Sequence, residues 1–167
     1  MCGIVGFTGG PKPELLRAMC ASIRHRGPDD EGFFESSAAS LGMRRLAIVD
    51  ITGGRQPIFN ESREIAAVCN GEIYNFRDLR RDLTEAGHRL HATHSDTEVC
   101  PHAYEEWGAN WVSRVNGMFG AAIWDGREKA LYLYRDRLGK KPLYYAMVGR
   151  DIGFAPEIKA LLVHPEV

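Results

Sequence analysis

The chain has 167 residues, of which 44% are hydrophobic and 26% charged, and its formal net charge is −1. A chain of this length can bury a sizeable core in one domain without the help of metals or disulfides. The near-zero charge, with no basic cluster, argues against a nucleic-acid partner or a membrane surface. The longest apolar stretches fall far short of the ~20 residues that span a bilayer.

The cysteines and the N-terminal segment indicate a cellular compartment. Cys2, Cys20, Cys69 and Cys100 lie far apart and form no CxxC pair. Such spacing is typical of reduced thiols in a cytosol. The N-terminus has neither a basic region nor a long apolar region, so we expect no signal peptide. We therefore expect a cytoplasmic protein with a single domain over residues 1–167.

The first part of the chain predicts strands around one helix. A short buried strand is expected over 2–8, and a helix follows with Pro13 at its start. The Arg26-Gly27-Pro28-Asp29 run should end this helix. Short strands are then expected near 31–35 and 40–48, with a break at Gly53-Gly54.

The middle of the chain predicts one strand and two helices. The strand at 65–69 is expected to stop at Asn70-Gly71. Helical spacing of apolar residues over 76–86 predicts a helix that ends at Gly87. A capping-box pattern over 95–98 opens another helix, in which Pro101 should produce a kink or a later start.

The last third of the chain predicts hairpins. Strands are expected over 118–124, 129–135, 143–148 and 151–155, and a short helix over 156–163 closes the chain. The sheets should therefore be mostly antiparallel. Two such sheets with helices outside them would pack as a layered α+β sandwich.

Cys2 is a candidate nucleophile. When Met1 is removed, the thiol belongs to the N-terminal residue, whose free α-amine can serve as its general base. While Met1 is attached, that amine belongs to methionine and the base is missing. The alternative is that Cys2 is an ordinary small residue at the start of a strand, and Cys2 alone does not decide between the two.

Asn70 and Gly71 form a candidate oxyanion site. Acyl transfer from an amide passes through an oxyanion, and an Asn amide beside a closely approachable Gly N–H could stabilise it. The alternative is a plain turn, because Asn-Gly is a common turn dipeptide. The dipeptide alone favours the turn.

Arg45 and Asp96 are isolated charges beside apolar runs. Arg45 could bind a carboxylate through two hydrogen bonds, and Asp96 could bind an ammonium group. Together they would hold the head group of a free α-amino acid. Taken singly, a surface salt bridge or a helix-start carboxylate is the simpler interpretation.

The histidines do not form a recognised metal motif. His88, His91 and His94, with Cys100 and His102 beyond them, lack the second spaced pair of a zinc site. We therefore assign them to the surface or to loops and expect no metal. No phosphate-binding glycine loop is present either, so no nucleotide site is expected.

Several motifs in fixed order carry a resemblance to a known family. They are Cys2-Gly3-Ile4, Arg24-His25-Arg26-Gly27-Pro28-Asp29, Arg45-Leu46-Ala47-Ile48-Val49-Asp50, Asn70-Gly71-Glu72-Ile73-Tyr74-Asn75, Ser95-Asp96-Thr97-Glu98-Val99, Gly117-Met118-Phe119, Arg135-Asp136-Arg137-Leu138-Gly139 and Glu157-Ile158-Lys159-Ala160-Leu161. The chain resembles the glutaminase domain of class II (N-terminal nucleophile) glutamine amidotransferases. It is most similar to the glutamine-hydrolysing asparagine synthetase branch.

The resemblance implies a fold and a set of residue roles. The implied fold is a four-layer αββα sandwich. Cys2 would attack the side-chain amide of L-glutamine to give a thioester and ammonia, with Asn70 and the Gly71 N–H as the oxyanion hole. The remaining roles concern substrate binding: Arg45 would hold the α-carboxylate, Asp96 with Glu72 the α-ammonium, and the backbone of Leu46, Ala47, Ile48 and Val49 would line the pocket.

The resemblance also implies a partner. In this family a C-terminal synthetase domain uses ATP and Mg²⁺ and carries an SGGxDS loop, which is absent from this sequence. We expect no cofactor in the glutaminase domain itself, and ATP and Mg²⁺ only in a synthetase domain. A homodimer is left open. The alternatives are a glutamine-binding or scaffolding domain without turnover, and a related hydrolase that acts on another amide.

Overall fold

The computed structural model describes residues 2–47, 54–91 and 95–167. In chain order the elements are β1 (Gly3–Thr8), α1 (Pro13–Ser22), β2 (Asp30–Glu35), β3 (Ala39–Arg45), β4 (Ile58–Phe59), β5 (Ile65–Ile73), α2 (Phe76–Glu85), α3 (Val99–Trp107), β6 (Gly117–Asp125), β7 (Ala130–Arg135), β8 (Tyr144–Val148), β9 (Asp151–Ala155) and α4 (Ile158–Leu161). Short 3-10 helices, Arg24–Arg26 and Gly108–Arg114, follow α1 and α3.

The strands form two antiparallel sheets. One has five strands in the order β2-β3-β1-β9-β8, and the other has four in the order β4-β5-β6-β7. The first strand of the chain is central, because β1 pairs with β3 on one side and with β9 on the other. In the second sheet, β5 pairs with β6 along its whole length, from Ile65 to Ile73.

Successive side chains along a strand point to opposite faces of its sheet, and both faces are covered here. Ile4 of β1 faces the second sheet, whereas Val5 and Phe7 pack against α1 and α4. On β5, Val68 faces the first sheet, and Cys69 packs against α2 and α3. Each sheet therefore buries both faces, and the four-layer αββα sandwich is confirmed.

One predicted boundary is wrong, and for another the structure decides between two predicted alternatives. β5 does not stop at Asn70-Gly71, because this dipeptide pairs with β6 and lies within the strand. Helix α3 begins at Val99, and no side chain caps its N-terminus. Pro101 is the third residue of α3, in the first turn, where a missing N–H breaks no helical hydrogen bond, so of the two alternatives the later start is correct.

The remaining predicted elements are present with small shifts, and three of the described elements were not predicted. These are the two-residue strand β4 and the 3-10 helices Arg24–Arg26 and Gly108–Arg114, all too short to give a periodic apolar pattern. Gly53 of the predicted break lies outside the described residues. In the described part of the chain, no helix has both the length and the apolar character needed to cross a membrane.

The contact between the sheets yields a stability prediction. Leu41 on β3 is fully buried between the two sheets, whereas Leu162 after α4 is 63% exposed. Leu41→Ala should lower the free energy of unfolding by about 2–5 kcal/mol, because it leaves a cavity in close-packed surroundings. Chemical denaturation measures the change. Leu162→Ala is the matched control and should change stability by less than about 1 kcal/mol, and equal effects would contradict the assigned interface.

Candidate active site

A cavity of about 160 Å³ lies where β1 begins, β3 ends and β5 carries Asn70. Residues from six separate stretches of the sequence meet there. The lining comprises Cys2, Met43, Arg45, Leu46, Gly54, Gln56, Cys69, Asn70, Gly71, Glu72, Ser95, Asp96, Thr97 and Lys141.

The Cys2 thiol is half-buried and held by the end of β3. The Leu46 N–H donates to Cys2 Sγ at 3.4 Å, and Sγ lies 3.7 Å from the Leu46 carbonyl oxygen. The Cys2 carbonyl accepts a hydrogen bond from Arg26 Nε at 3.1 Å. These two contacts with the Leu46 backbone fix the position of Sγ at the cavity wall.

Arg26 is buried and links the start of β1 to the C-terminal part of the chain. Its Nη1 donates to Glu157 Oε1 at 2.9 Å, and His25 Nε2 lies 2.9 Å from the same oxygen. Burial by itself would raise the pKa of Glu157, but the hydrogen bonds from Arg26, His25 and Lys159 lower it to about 2. Glu157 is therefore a stable anion that fixes the guanidinium behind Cys2.

Asn70 presents a buried amide to the cavity. Asn70 is 2% exposed, and its Nδ2 has no hydrogen-bond partner among the described residues. A buried donor without a partner is costly, so such a group is typical of a site that binds a ligand oxygen.

Gly71 is required by its surroundings. A Cβ at this position would lie 2.0 Å from the carbonyl oxygen of Met118 and 2.5 Å from Phe119 Cα. Both contacts are with the backbone of β6, which cannot move aside. Any other residue would therefore push Asn70 and its amide out of place.

Asp96 is a partly buried carboxylate at the cavity wall. Burial raises its pKa, and the negative charge of Glu72 raises it further, whereas the Ile73 N–H, which donates to Oδ2 at 2.7 Å, opposes the shift. An arriving ammonium group would relieve both unfavourable effects. Glu72 is exposed and lies at the mouth of the cavity.

Of the residues from 45 to 49 that were predicted to bind the substrate, the first two line the cavity. Arg45 is 6% exposed and lines the cavity with Leu46. Ala47 is not part of the lining, and its N–H donates to Asp29 Oδ2 at 2.8 Å. Ile48 and Val49 lie outside the described residues.

Gln56 and Lys141 line the cavity and were not singled out in the sequence. The Gln56 side chain accepts from the Cys69 N–H at 2.6 Å and donates to the Cys69 carbonyl at 2.9 Å, as a strand neighbour would. It therefore binds the segment after residue 54 to β5. An isolated glutamine in a loop gives no pattern by which it could have been found.

Lys141 is 8% exposed and is positioned through Asp136. The Asp136 carboxylate accepts from the backbone N–H groups of Leu138, Lys140 and Lys141 at 2.9–3.1 Å. Burial would raise the pKa of Asp136, but these N–H groups lower it. The Arg135–Gly139 motif is the sequence pattern that could have led to Lys141. It contains Asp136, whose carboxylate fixes the loop that carries Lys141.

The surface-or-loop assignment of the histidines is wrong for His102. This residue lies on α3, is 2% exposed, and its ring centroid is 5.4 Å from that of His88. His88 follows α2, and His91 is exposed. His94 lies outside the described residues.

Comparison with solved structures agrees with the fold. The B. subtilis glutamine phosphoribosylpyrophosphate (PRPP) amidotransferase, solved with ADP and GMP, matches with a TM-score of 0.79 and 21% identity over 97% of this chain and 43% of that one. A structure described as the allosteric regulatory enzyme of purine biosynthesis gives a TM-score of 0.80 at 22% identity, covering 97% of this chain and 43% of that chain. The fold is of the N-terminal nucleophile hydrolase type.

Sequence comparison defines the family. The model of the glutamine amidotransferase domain matches residues 1–167, and the chain belongs to this family. Asparagine synthetase [glutamine-hydrolyzing] 2 of Bacillus subtilis (strain 168) is 40% identical over 99% of this chain and 23% of its own length. Asparagine synthetase [glutamine-hydrolyzing] 3 of Arabidopsis thaliana is 40% identical over 96% of this chain and 28% of its own. The chain thus spans about a quarter of the length of these relatives.

The Glu157 anion yields a prediction on pH dependence. The pKa of Glu157 is 4.5 when unperturbed and about 2 in the folded chain. The ionised carboxylate therefore stabilises the fold fully above pH 4.5, and this contribution is lost as the pH falls toward 2. Glu157→Gln should lower the free energy of unfolding by about 1 kcal/mol at pH 7. Denaturant titrations of the wild type and Glu157→Gln at several pH values should show that their difference in unfolding free energy decreases between pH 4.5 and pH 2. A difference that stays constant with pH would contradict the assigned ion pair.

Proposed function

We propose that this chain hydrolyses the side-chain amide of L-glutamine to glutamate and ammonia, with Cys2 as the nucleophile. The observation that carries the proposal is that the Cys2 thiol shares one cavity with Asn70 Nδ2, which has no hydrogen-bond partner among the described residues. A nucleophile and a preorganised donor for an oxyanion are the two groups that acyl transfer from an amide needs.

The first half of the reaction forms a thioester. With Met1 removed, the α-amine of Cys2 takes the thiol proton, and sulfur attacks the amide carbon of glutamine. Asn70 Nδ2 and the Gly71 N–H stabilise the resulting oxyanion. The proton then passes from the amine to the leaving nitrogen, the C–N bond breaks, and ammonia departs.

The second half regenerates the enzyme. Water attacks the thioester carbon, the same amine accepts a proton from the water, and the same donors stabilise the second oxyanion. The C–S bond then breaks, sulfur recovers its proton, and glutamate leaves. Both steps use only a thiol, an amine and water, so we propose that they need no cofactor.

Charges at the wall of the cavity would select a free amino acid. Arg45 binds the α-carboxylate, and Asp96 with Glu72 binds the α-ammonium group. Leu46 lines the same pocket beside Arg45. A peptide-bound glutamine has neither terminal charge, so this arrangement favours the free amino acid.

We further propose that the ammonia serves asparagine synthesis in the cytoplasm. The relatives at about 40% identity bear that name, and this chain corresponds to about a quarter of them. A C-terminal synthetase domain would activate the acceptor with ATP and Mg²⁺ and receive the ammonia. The acceptor would be recognised by that domain.

The nucleophile can be tested directly. A sample whose intact mass shows the loss of Met1 should release glutamate from glutamine, and Cys2→Ala should lower this rate at least ~10³-fold while glutamine still binds. The readouts are enzymatic glutamate assay and calorimetric titration. Cys20→Ala is the matched control, because burial raises the pKa of the Cys20 thiol to about 12 and makes it inert.

Two outcomes would count against the proposal. Turnover that persists in Cys2→Ala would remove Cys2 from the mechanism. Glutamine binding without any release by the processed wild-type chain would instead indicate a binding domain without turnover.

The ammonium site can be tested by Asp96→Asn. The asparagine oxygen can still accept from the Ile73 N–H, so the local structure should persist while the charge is lost. We expect KM for glutamine to rise about 10- to 100-fold with a small change in kcat, as loss of a charge pair in a partly buried site would produce. Steady-state kinetics measure both constants. Asp78→Asn, an exposed site on α2, is the control, and an unchanged KM in Asp96→Asn would contradict the assignment.

A further inference from the structure

A second cluster of ionisable side chains lies at the other end of β5. Glu61 belongs to the turn between β4 and β5, His88 follows α2, and His102 and Glu105 lie on one face of α3. Their ligand atoms all lie within 4.8 Å of one another. The cluster therefore joins three separate segments of the chain.

The imidazole of His102 is oriented like a ligand. Its Nδ1 lies 3.2 Å from Glu61 Oε2, yet it makes no hydrogen bond with a described residue, although the residue is 2% exposed. The distance is short enough, so the angle must be unfavourable. Two ligands of one ion, each ~2.0–2.2 Å from it at tetrahedral angles, also lie roughly 3.3 Å apart without bonding to each other.

His88 has the two contacts that a metal-bound histidine usually has. Its Nδ1 lies 3.6 Å from Glu61 Oε1 and 4.0 Å from Glu105 Oε2, so this nitrogen faces the cluster. Its other nitrogen, Nε2, lies 3.3 Å from Glu106 Oε2, outside the cluster. A carboxylate on the far nitrogen fixes the tautomer and the direction of the ring.

Outer contacts hold the two carboxylates in place. Asn60 Nδ2 donates to Glu105 Oε2 at 2.9 Å, and the Arg89 N–H donates to Glu61 Oε1 at 2.6 Å. Each carboxylate keeps lone pairs for a further partner. Such outer hydrogen bonds are typical of built metal sites.

We propose that Glu61, His88, His102 and Glu105 bind one divalent transition-metal ion, of which zinc is the representative. Two imidazole nitrogens and two carboxylate oxygens suit zinc and its neighbours, whereas Mg²⁺ and Ca²⁺ prefer oxygen ligands only. The two positive charges of the ion would add to that of Arg127, whose Nη1 lies 3.6 Å from Glu105 Oε1, in balancing the carboxylates.

The proposed ion has a structural role and takes no part in glutamine hydrolysis. The cluster adjoins the start of β5, where Asn60 accepts from the Ile65 N–H at 3.0 Å. Asn70 lies five residues further along the extended strand, or roughly 17 Å at ~3.3 Å per residue. The ion would join the β4–β5 turn, the end of α2 and the centre of α3.

Zinc binding by the Cys2→Ala chain, freed of any histidine tag, tests the proposal. This substitution removes the thiol, the ligand of the active-site cavity that zinc prefers. Titration of the apo protein with ZnCl₂ should show one saturable ion per chain, a higher Tm, and no displacement by excess Mg²⁺. Cobalt in place of zinc should give a visible d–d absorption band of a tetrahedral site.

Ligand variants locate the ion. His88→Gln and Glu105→Gln lie at the edge of the cluster, retain hydrogen-bonding capacity and should weaken zinc binding at least tenfold. His25→Gln removes a partly exposed histidine outside the cluster and should bind zinc as the parent does. Circular dichroism of each apo variant establishes that it is folded.

Two results would overturn the proposal. One is the absence of saturable zinc binding by the folded parent. The other is an affinity that neither His88→Gln nor Glu105→Gln changes. Because no step of this test uses glutamine, its failure would leave the proposed hydrolysis unaffected.

Discussion

The central position of β1 in its sheet is the constraint on which the active site depends. A strand paired on both sides cannot shift its register without breaking two sets of hydrogen bonds, and a one-residue slip would exchange its two buried faces. Because Gly3 is paired with Arg44, the residue before it is fixed opposite the end of β3. The Cys2 thiol thus owes its position to a ladder of backbone hydrogen bonds as well as to the contacts of Sγ with Leu46.

The second sheet obeys a related constraint. β5 and β6 bury both of their faces, and small side chains lie on each face of both strands. Ala66 and Ala122 face the first sheet, whereas Ala67 and Ala121 face the helices. Close packing on both sides makes β5 rigid, and a rigid strand keeps the Asn70 amide at the cavity wall.

Most of the fold could be predicted from the sequence, because its strands and helices have clear apolar periods and several of them end beside Gly or Pro. The end of β5 could not, since Asn-Gly is a turn signal locally and is overridden here by pairing with β6. The site was assembled from a family resemblance, because no spacing relates Arg45 to Asp96. Gln56 was missed because its side chain bonds the backbone N–H and carbonyl of Cys69, and a single glutamine in a loop gives no sequence pattern for such a contact. His102 was assigned wrongly because its burial depends on how α3 packs.

The burial of three cysteines has a consequence for chemical labelling. Cys20, Cys69 and Cys100 are enclosed in the core, and Cys2 is the half-buried exception. Burial raises the pKa of Cys20, and the pKa of Cys69 is raised by its contact with Cys100 and by burial. An alkylating reagent applied to the folded chain will therefore react at a single sulfur. One electrophilic dye could follow occupancy of the cavity in real time, with no engineered cysteine.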